Sequence, residues 1–158
     1  MNQKISIIIL GIFVSIMTLF SQNTGSQNDE KVMEEIDSLF NISLKAAEDL
    51  DINRLSVNVN DQYKTGFITN GLYYLTFDTL IKDFENNSRR IDGQNIHINE
   101  KKISLLSKDV AVVTVNGSAE SFLSDGTSFS SGFNWTLIYK KTNGKWMIVH
   151  THQSRGRL

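Results

Sequence analysis

Between Asn95 and Ser154 the chain has room for four long strands and almost nothing else. The β-rich runs Asn95–Leu106, Val110–Leu123, Ser128–Lys141 and Lys145–Ser154 are separated only by Ser107-Lys108-Asp109, Ser124-Asp125-Gly126-Thr127 and Thr142-Asn143-Gly144. Each break carries turn residues. A parallel connection needs a dozen or more residues, so breaks this short allow only antiparallel neighbours in a meander. An isolated sheet of that size needs an apolar cover on at least one face.

The cover comes from upstream. Asn28 is suited to cap a helix, and Asp29 and Glu30 follow where the helix dipole favours negative charge. Val32, Ile36, Leu39, Phe40, Leu44 and Ala47 then recur at helical spacing to about Leu50. Asp51–Gln62 reads as a short helix or an irregular crossing. The runs Tyr63–Ile68 and Leu72–Leu75 flank Asn70-Gly71, a hairpin signal, because both turn residues must take positive φ. A further helix is predicted after Thr76, with Phe77, Leu80, Ile81 and Phe84 as its apolar stripe. Helices followed by a long antiparallel sheet make an α+β domain.

Composition narrows the function classes. The 158 residues suit one globular domain, and 16 basic against 17 acidic residues give no electrostatic reason to expect nucleic acid as a partner. With no cysteine there is no disulfide, no thiolate nucleophile and no cysteine-bound zinc. Residues 1–22 have the layout of a secretory signal peptide: a positive start at Lys4, an apolar run from Ile5 to Phe20, then polar Ser21-Gln22-Asn23. That run is shorter than the ~20 residues of a membrane-spanning helix. The expected organisation is a signal peptide over 1–22, a disordered leader over 23–28, one domain over 29–154 and a tail over 155–158. A periplasmic or secreted location follows, with no stable membrane anchor once the leader is cleaved.

Two of the three histidines, His150 and His152, lie one residue apart on the last strand. Alternate strand residues point the same way, ~6.5 Å apart along the strand, so both rings could reach one ion or one substrate. A catalytic zinc needs a third ligand, and neither His97 nor Glu120 is placed to supply it by sequence alone. No metal and no cofactor are expected. The candidates for acid–base chemistry are His150 and His152, with Glu120 or Asn134 as the orienting partner.

The order helix, hairpin, helix, four strands, together with "YKTGFITNG", "FNWTLIYKKTNGKW" and "GKWMIVHTHQS", resembles the nuclear transport factor 2-like superfamily and its SnoaL-like domains. The last stretch resembles the C-terminal strand of the calcium/calmodulin-dependent kinase II association domain. The resemblance spans residues 29–154. It implies a cone: a strongly curved, mostly antiparallel sheet with N-terminal helices packed on its concave face, commonly dimeric through the outer face. Members include isomerases, dehydratases, cyclases, hydrolases, carriers and oligomeric hubs, so the fold implies a pocket and leaves the reaction open.

Which residues face that pocket depends on one turn. A two-residue loop through Asn143-Gly144 pairs Thr142 with Lys145 and sets Trp135 opposite His152. A three-residue loop pairs Lys141 with Lys145 and sets Trp135 opposite Thr151. A one-residue slip exchanges the faces. The turn usual in the family favours the longer loop. The expected ligand-binding set is then Phe133, Trp135, Leu137, Tyr139, Val149, Thr151 and Gln153, with Trp146, Ile148, His150 and His152 on the other face. In the kinase domain, basic residues line the cavity; two of those positions correspond to Leu137 and Gln153. An anion held by arginines is therefore not expected, and Arg89, Arg90, Arg155 and Arg157 read as solvated charges. The leading expectation is an exported homodimeric domain that binds a small, largely apolar ligand. The alternatives are a cofactor-free enzyme using a pocket histidine and a non-catalytic oligomerisation module.

Overall fold

The computed structural model describes the backbone of residues 6–156 and the side chains of residues 27–156. All of the expected signal-peptide side chains and the end of the tail lie outside the described residues. The elements are α1 (Ser6–Glu48), α2 (Ile52–Ser56), β1 (Phe67–Thr69), β2 (Leu72–Tyr74), α3 (Phe77–Ser88), β3 (Ile91–Ser107), β4 (Val110–Leu123), β5 (Ser128–Thr142) and β6 (Lys145–Gly156). The chain divides into two compact units, residues 1–35 and 36–158, and the fold that follows is that of the second. One boundary differs from expectation: α1 is continuous through Asn28, where a helix start and a preceding leader are predicted. No proline interrupts the backbone there, so a capping residue alone does not make a terminus.

Six strands form one curled, unclosed sheet in the order β2-β1-β6-β5-β4-β3. The four long strands make the expected meander. The β1–β2 hairpin turns through Asn70 (φ 51°) and Gly71 (φ 83°), the conformation expected of Asn-Gly. It then joins the other margin of the meander through a parallel pairing, Ile68 with His152 and Thr69 with Gln153. Three register irregularities between β3 and β4, and one between β5 and β6, bend and twist the strands.

The C-terminal half of α1 closes the concave face. Ile36, Phe40 and Ala46 are fully buried, and the Phe40 ring lies 6.0 Å from that of Trp135. Burial of one such aromatic contributes about 1.5–3 kcal/mol relative to exposure. Ser43 shares the buried stripe and satisfies its hydroxyl by donating to Leu39 O at 3.2 Å. Polar contacts hold the helix to edge strand β3. Glu48 Oε1 accepts the Ile96 N–H at 3.1 Å, Gln94 Nε2 donates to Ala47 O at 2.6 Å, and Lys101 pairs with Asp37. Lys101 also stands 4.9 Å over the Phe40 ring. These contacts blunt a sheet margin that would otherwise offer unpaired N–H groups.

Candidate functional site

The β5–β6 turn has two residues, not three. Thr142 pairs with Lys145, and Asn143 (φ 52°) and Gly144 (φ 78°) take the positive φ values of a tight hairpin. The expected longer loop is corrected: Asn-Gly satisfies this turn without help from Thr142. A second irregularity follows. Tyr139 pairs with Ile148 but Ile138 pairs with His150, which leaves Val149 as an extra residue in β6. The bulge is held from outside the hairpin, because the Thr65 hydroxyl donates to Val149 O and Ile148 exchanges backbone bonds with Asn58 and Asn60.

This bulge switches the faces of β6 part-way along. Before it, Trp146 and Ile148 lie on the concave side, contrary to expectation. After it, Trp135 opposes Gln153 and Leu137 opposes Thr151, so Thr151 and Gln153 are concave and His150 and His152 are on the outer face. Trp146 is only 2% exposed there.

Between the concave face, α3 and the β1–β2 hairpin is a cavity of about 600 Å³. Phe133, Trp135, Thr151 and Gln153 line it, as four of the seven residues expected to bind ligand. Leu137, Tyr139 and Val149 are buried in the core and do not line it. Phe40 packs against Trp135 beside the cavity. Burial raises the Tyr139 hydroxyl far above its ordinary pKa, with a smaller contribution from the Asp37 charge.

The remaining walls come from elements that sequence reasoning read only as structure. Phe77, Leu80, Ile81 and Phe84 of α3 turn their stripe toward the cavity. Asp83 on the same helix accepts the Tyr74 hydroxyl at 2.6 Å and Asn87 Nδ2 at 3.0 Å, and all three residues line the space. Hydrogen bonding to Asp83, then burial, then the Asp83 charge push the Tyr74 hydroxyl up to about 12. Arg90 and Arg155 also line the cavity while remaining exposed, so they are solvated charges, as expected from the sequence, that stand at its opening. Signals for both types were present: Asn87 continues the α3 stripe three residues past Phe84, and one more step of the alternation Thr151, Gln153 reaches Arg155.

The candidate acid–base residues lie elsewhere. His150 Nδ1 is 2.8 Å from Gly66 O, so that nitrogen carries the proton and donates it to the carbonyl. His152 is exposed, and His97 on β3 is exposed opposite Ser118. Glu120 pairs across β4–β5 with Ser130 and accepts from the Ser128 hydroxyl at 3.3 Å. It is on the outer face, six register positions from the His152 level, roughly 20 Å along the strands. Asn134 is engaged in an outer-face ladder, accepting from Asn116, which accepts from Asn99. The structure therefore brings the histidines neither to Glu120 nor to the cavity; Asn134 is one diagonal step from His152 on the outer face and is bonded to Asn116. Among the described residues, no three His, Asp or Glu side chains cluster as a metal would require.

Comparison with known proteins gives this architecture a family. Residues 69–156 match the family model described as the calcium/calmodulin dependent protein kinase II association domain. The chain belongs to that family. Its matched segment runs from the end of β1 to the end of β6, and so includes α3, the sheet meander and most of the cavity wall. Among solved structures, this association-domain family member is similar to a nuclear transport factor 2-like superfamily protein from Salmonella enterica. The two are 18% identical over 82% of this chain and 94% of that one, with a TM-score of 0.73. It is similar also to the association domain of the kinase from C. elegans, at 14% identity over 79% and 96% of the two chains and a TM-score of 0.63. A hexachlorocyclohexane dehydrochlorinase superposes with a TM-score of 0.69 at 14% identity, over 81% and 87%. At these identities the likeness shows the shared nuclear transport factor 2-like fold. No curated protein matches the chain in sequence.

Proposed function

We propose that this association-domain family member is an exported, homodimeric domain that binds a small, largely apolar ligand in its cone. The observation that carries the reading is the cavity itself: about 600 Å³, within the range that holds small molecules, and walled by Phe77, Phe84, Phe133 and Trp135. The histidines expected as acid–base candidates, His150 and His152, lie on the opposite face, which favours binding over histidine-based catalysis. Export rests on the sequence of residues 1–22. Dimerisation rests on the family, whose name in the kinase describes association, and would use the outer face.

The test is titration with Nile red, a neutral dye that brightens in apolar surroundings. One dye per chain is expected to bind, with quenching of Trp135. Ala119→Phe, which places a ring in the cavity wall, is expected to abolish binding while leaving the unfolding midpoint within a few degrees. Dye binding unchanged in this variant would refute the reading. A second reading, a purely oligomeric module, is favoured by family membership alone and predicts no saturable binding at all.

A further inference from the structure

Resting on the cavity-binding reading, we propose that the ligand is an amphiphilic acid, with an apolar chain under α3 and an anionic head group at Arg90 or Arg155. Two independent observations converge on that class. The first is the state of α3. Its apolar stripe, Phe77, Leu80, Ile81 and Phe84, faces the cavity, yet no residue of the helix is buried. The helix is anchored near its start, where Asp61 Oδ2 accepts the Phe77 N–H at 2.9 Å and the Phe67 and Phe77 rings meet at 5.3 Å. Tyr74 ties Asp83 farther along, and Leu80, Ile81 and Phe84 are only partly covered on the side that lines the cavity. An apolar ligand chain completes that cover.

The second observation is charge. The charged residues lining the cavity are Asp83, Arg90 and Arg155. Asp83 is already hydrogen-bonded by Tyr74 and Asn87. Among the described residues neither arginine forms an ion pair; Asp125, in the β4–β5 turn, is near enough to Arg90 for a weak charge effect only. The cavity thus carries one excess positive charge and two planar guanidinium donors, each matched to a carboxylate or another oxyanion. A wholly apolar ligand would leave both unused, and a small hydrophilic anion would leave the α3 stripe only partly covered.

The experiment compares decanoate with decanol as competitors of Nile red on the full chain, at low and high salt. Decanoate is expected to bind about tenfold or more tightly than decanol at low salt, a charge-assisted hydrogen bond's effect. Arg90→Ala, Arg155→Ala or the double variant should erase the preference without weakening decanol, and Lys108→Ala should leave it intact. Hydrogen exchange in residues 77–88 should slow on decanoate binding. Equal affinity for the two ligands, or a preference that survives the double variant, overturns the anionic head group and leaves the cavity reading standing. Saturable decanoate binding with no slowing in α3 overturns the placement of the chain. Binding of neither ligand nor dye by folded protein removes both this inference and the reading beneath it.

Discussion

At Gly117 two parts of the sheet approach so closely that no side chain fits. A Cβ there would meet His97 O at 2.4 Å and Phe133 Cζ at 2.7 Å. The residue opposes Ile98 on one side and Phe133 on the other, beside the irregularity between Ile98 and Glu100. The strand bends where Phe133 lies over it, and Phe133 in turn forms cavity wall. Gly117→Ala is expected to cost about 1–3 kcal/mol, because the obstacle on one side is backbone. Gly93→Ala, with nothing within 4 Å, should change stability by less than about 0.5 kcal/mol. Urea unfolding of the two variants beside the parent checks the contrast. A glycine inside a strand marks a bulge or a close approach. Which neighbour approaches is a matter of register, and sequence reasoning had no access to it here. The same holds for Arg90 and Arg155, whose place in the cavity depends on where α3 and the end of β6 come to lie.

Elements were legible where local chemistry decides them. β4 runs over Val110–Leu123 as expected, α3 follows a Thr76 cap as expected, and the Asn70-Gly71 hairpin pairs as Asn-Gly requires. They were illegible where a distant segment intervenes. The Val149 bulge has no turn residue or glycine to announce it. It forms where residues 58–65 bond to β6 from outside the hairpin. Two departures therefore compensate: a turn shorter than expected and a bulge beyond it restore Thr151 and Gln153 to the cavity face. Trp146 and Ile148, between turn and bulge, are displaced to the other face from the one expected. The exposed packing of α3 supports a prediction at this scale. Thr76 Oγ1 accepts the Thr79 N–H at 3.3 Å as the helix cap. Thr76→Ala is expected to destabilise the helix by about 1 kcal/mol. With no residue of α3 buried, the loss should appear as faster amide exchange confined to residues 77–88, not as a lowered global unfolding midpoint. Uniformly faster exchange over the sheet would contradict this.

At the scale of the whole molecule, the outer face is where the proposed dimer would form. Its centre is polar: Thr114 opposite Thr136, the Asn99–Asn116–Asn134 ladder, and His150 and His152 on β6. If two copies associate there, the parent should sediment as a dimer at micromolar concentration. Thr136→Glu, which places a charge at that centre in each copy, should shift it to monomer and leave Nile red binding unaltered. A monomeric parent would reject the outer-face dimer. By itself the sequence determined the secondary elements, the antiparallel meander and the α+β class, because alternation, capping and tight turns are local and the breaks are short. It also determined that Phe133 and Trp135 share a face, since β5 carries no bulge. Tertiary structure alone decided that β1 joins β6 in parallel, that a bulge at Val149 reverses the faces of β6, and that α3 and two arginines complete the cavity. The first two depend on contacts between residues more than eighty positions apart, whose energies are set by which surfaces meet and not by any local preference.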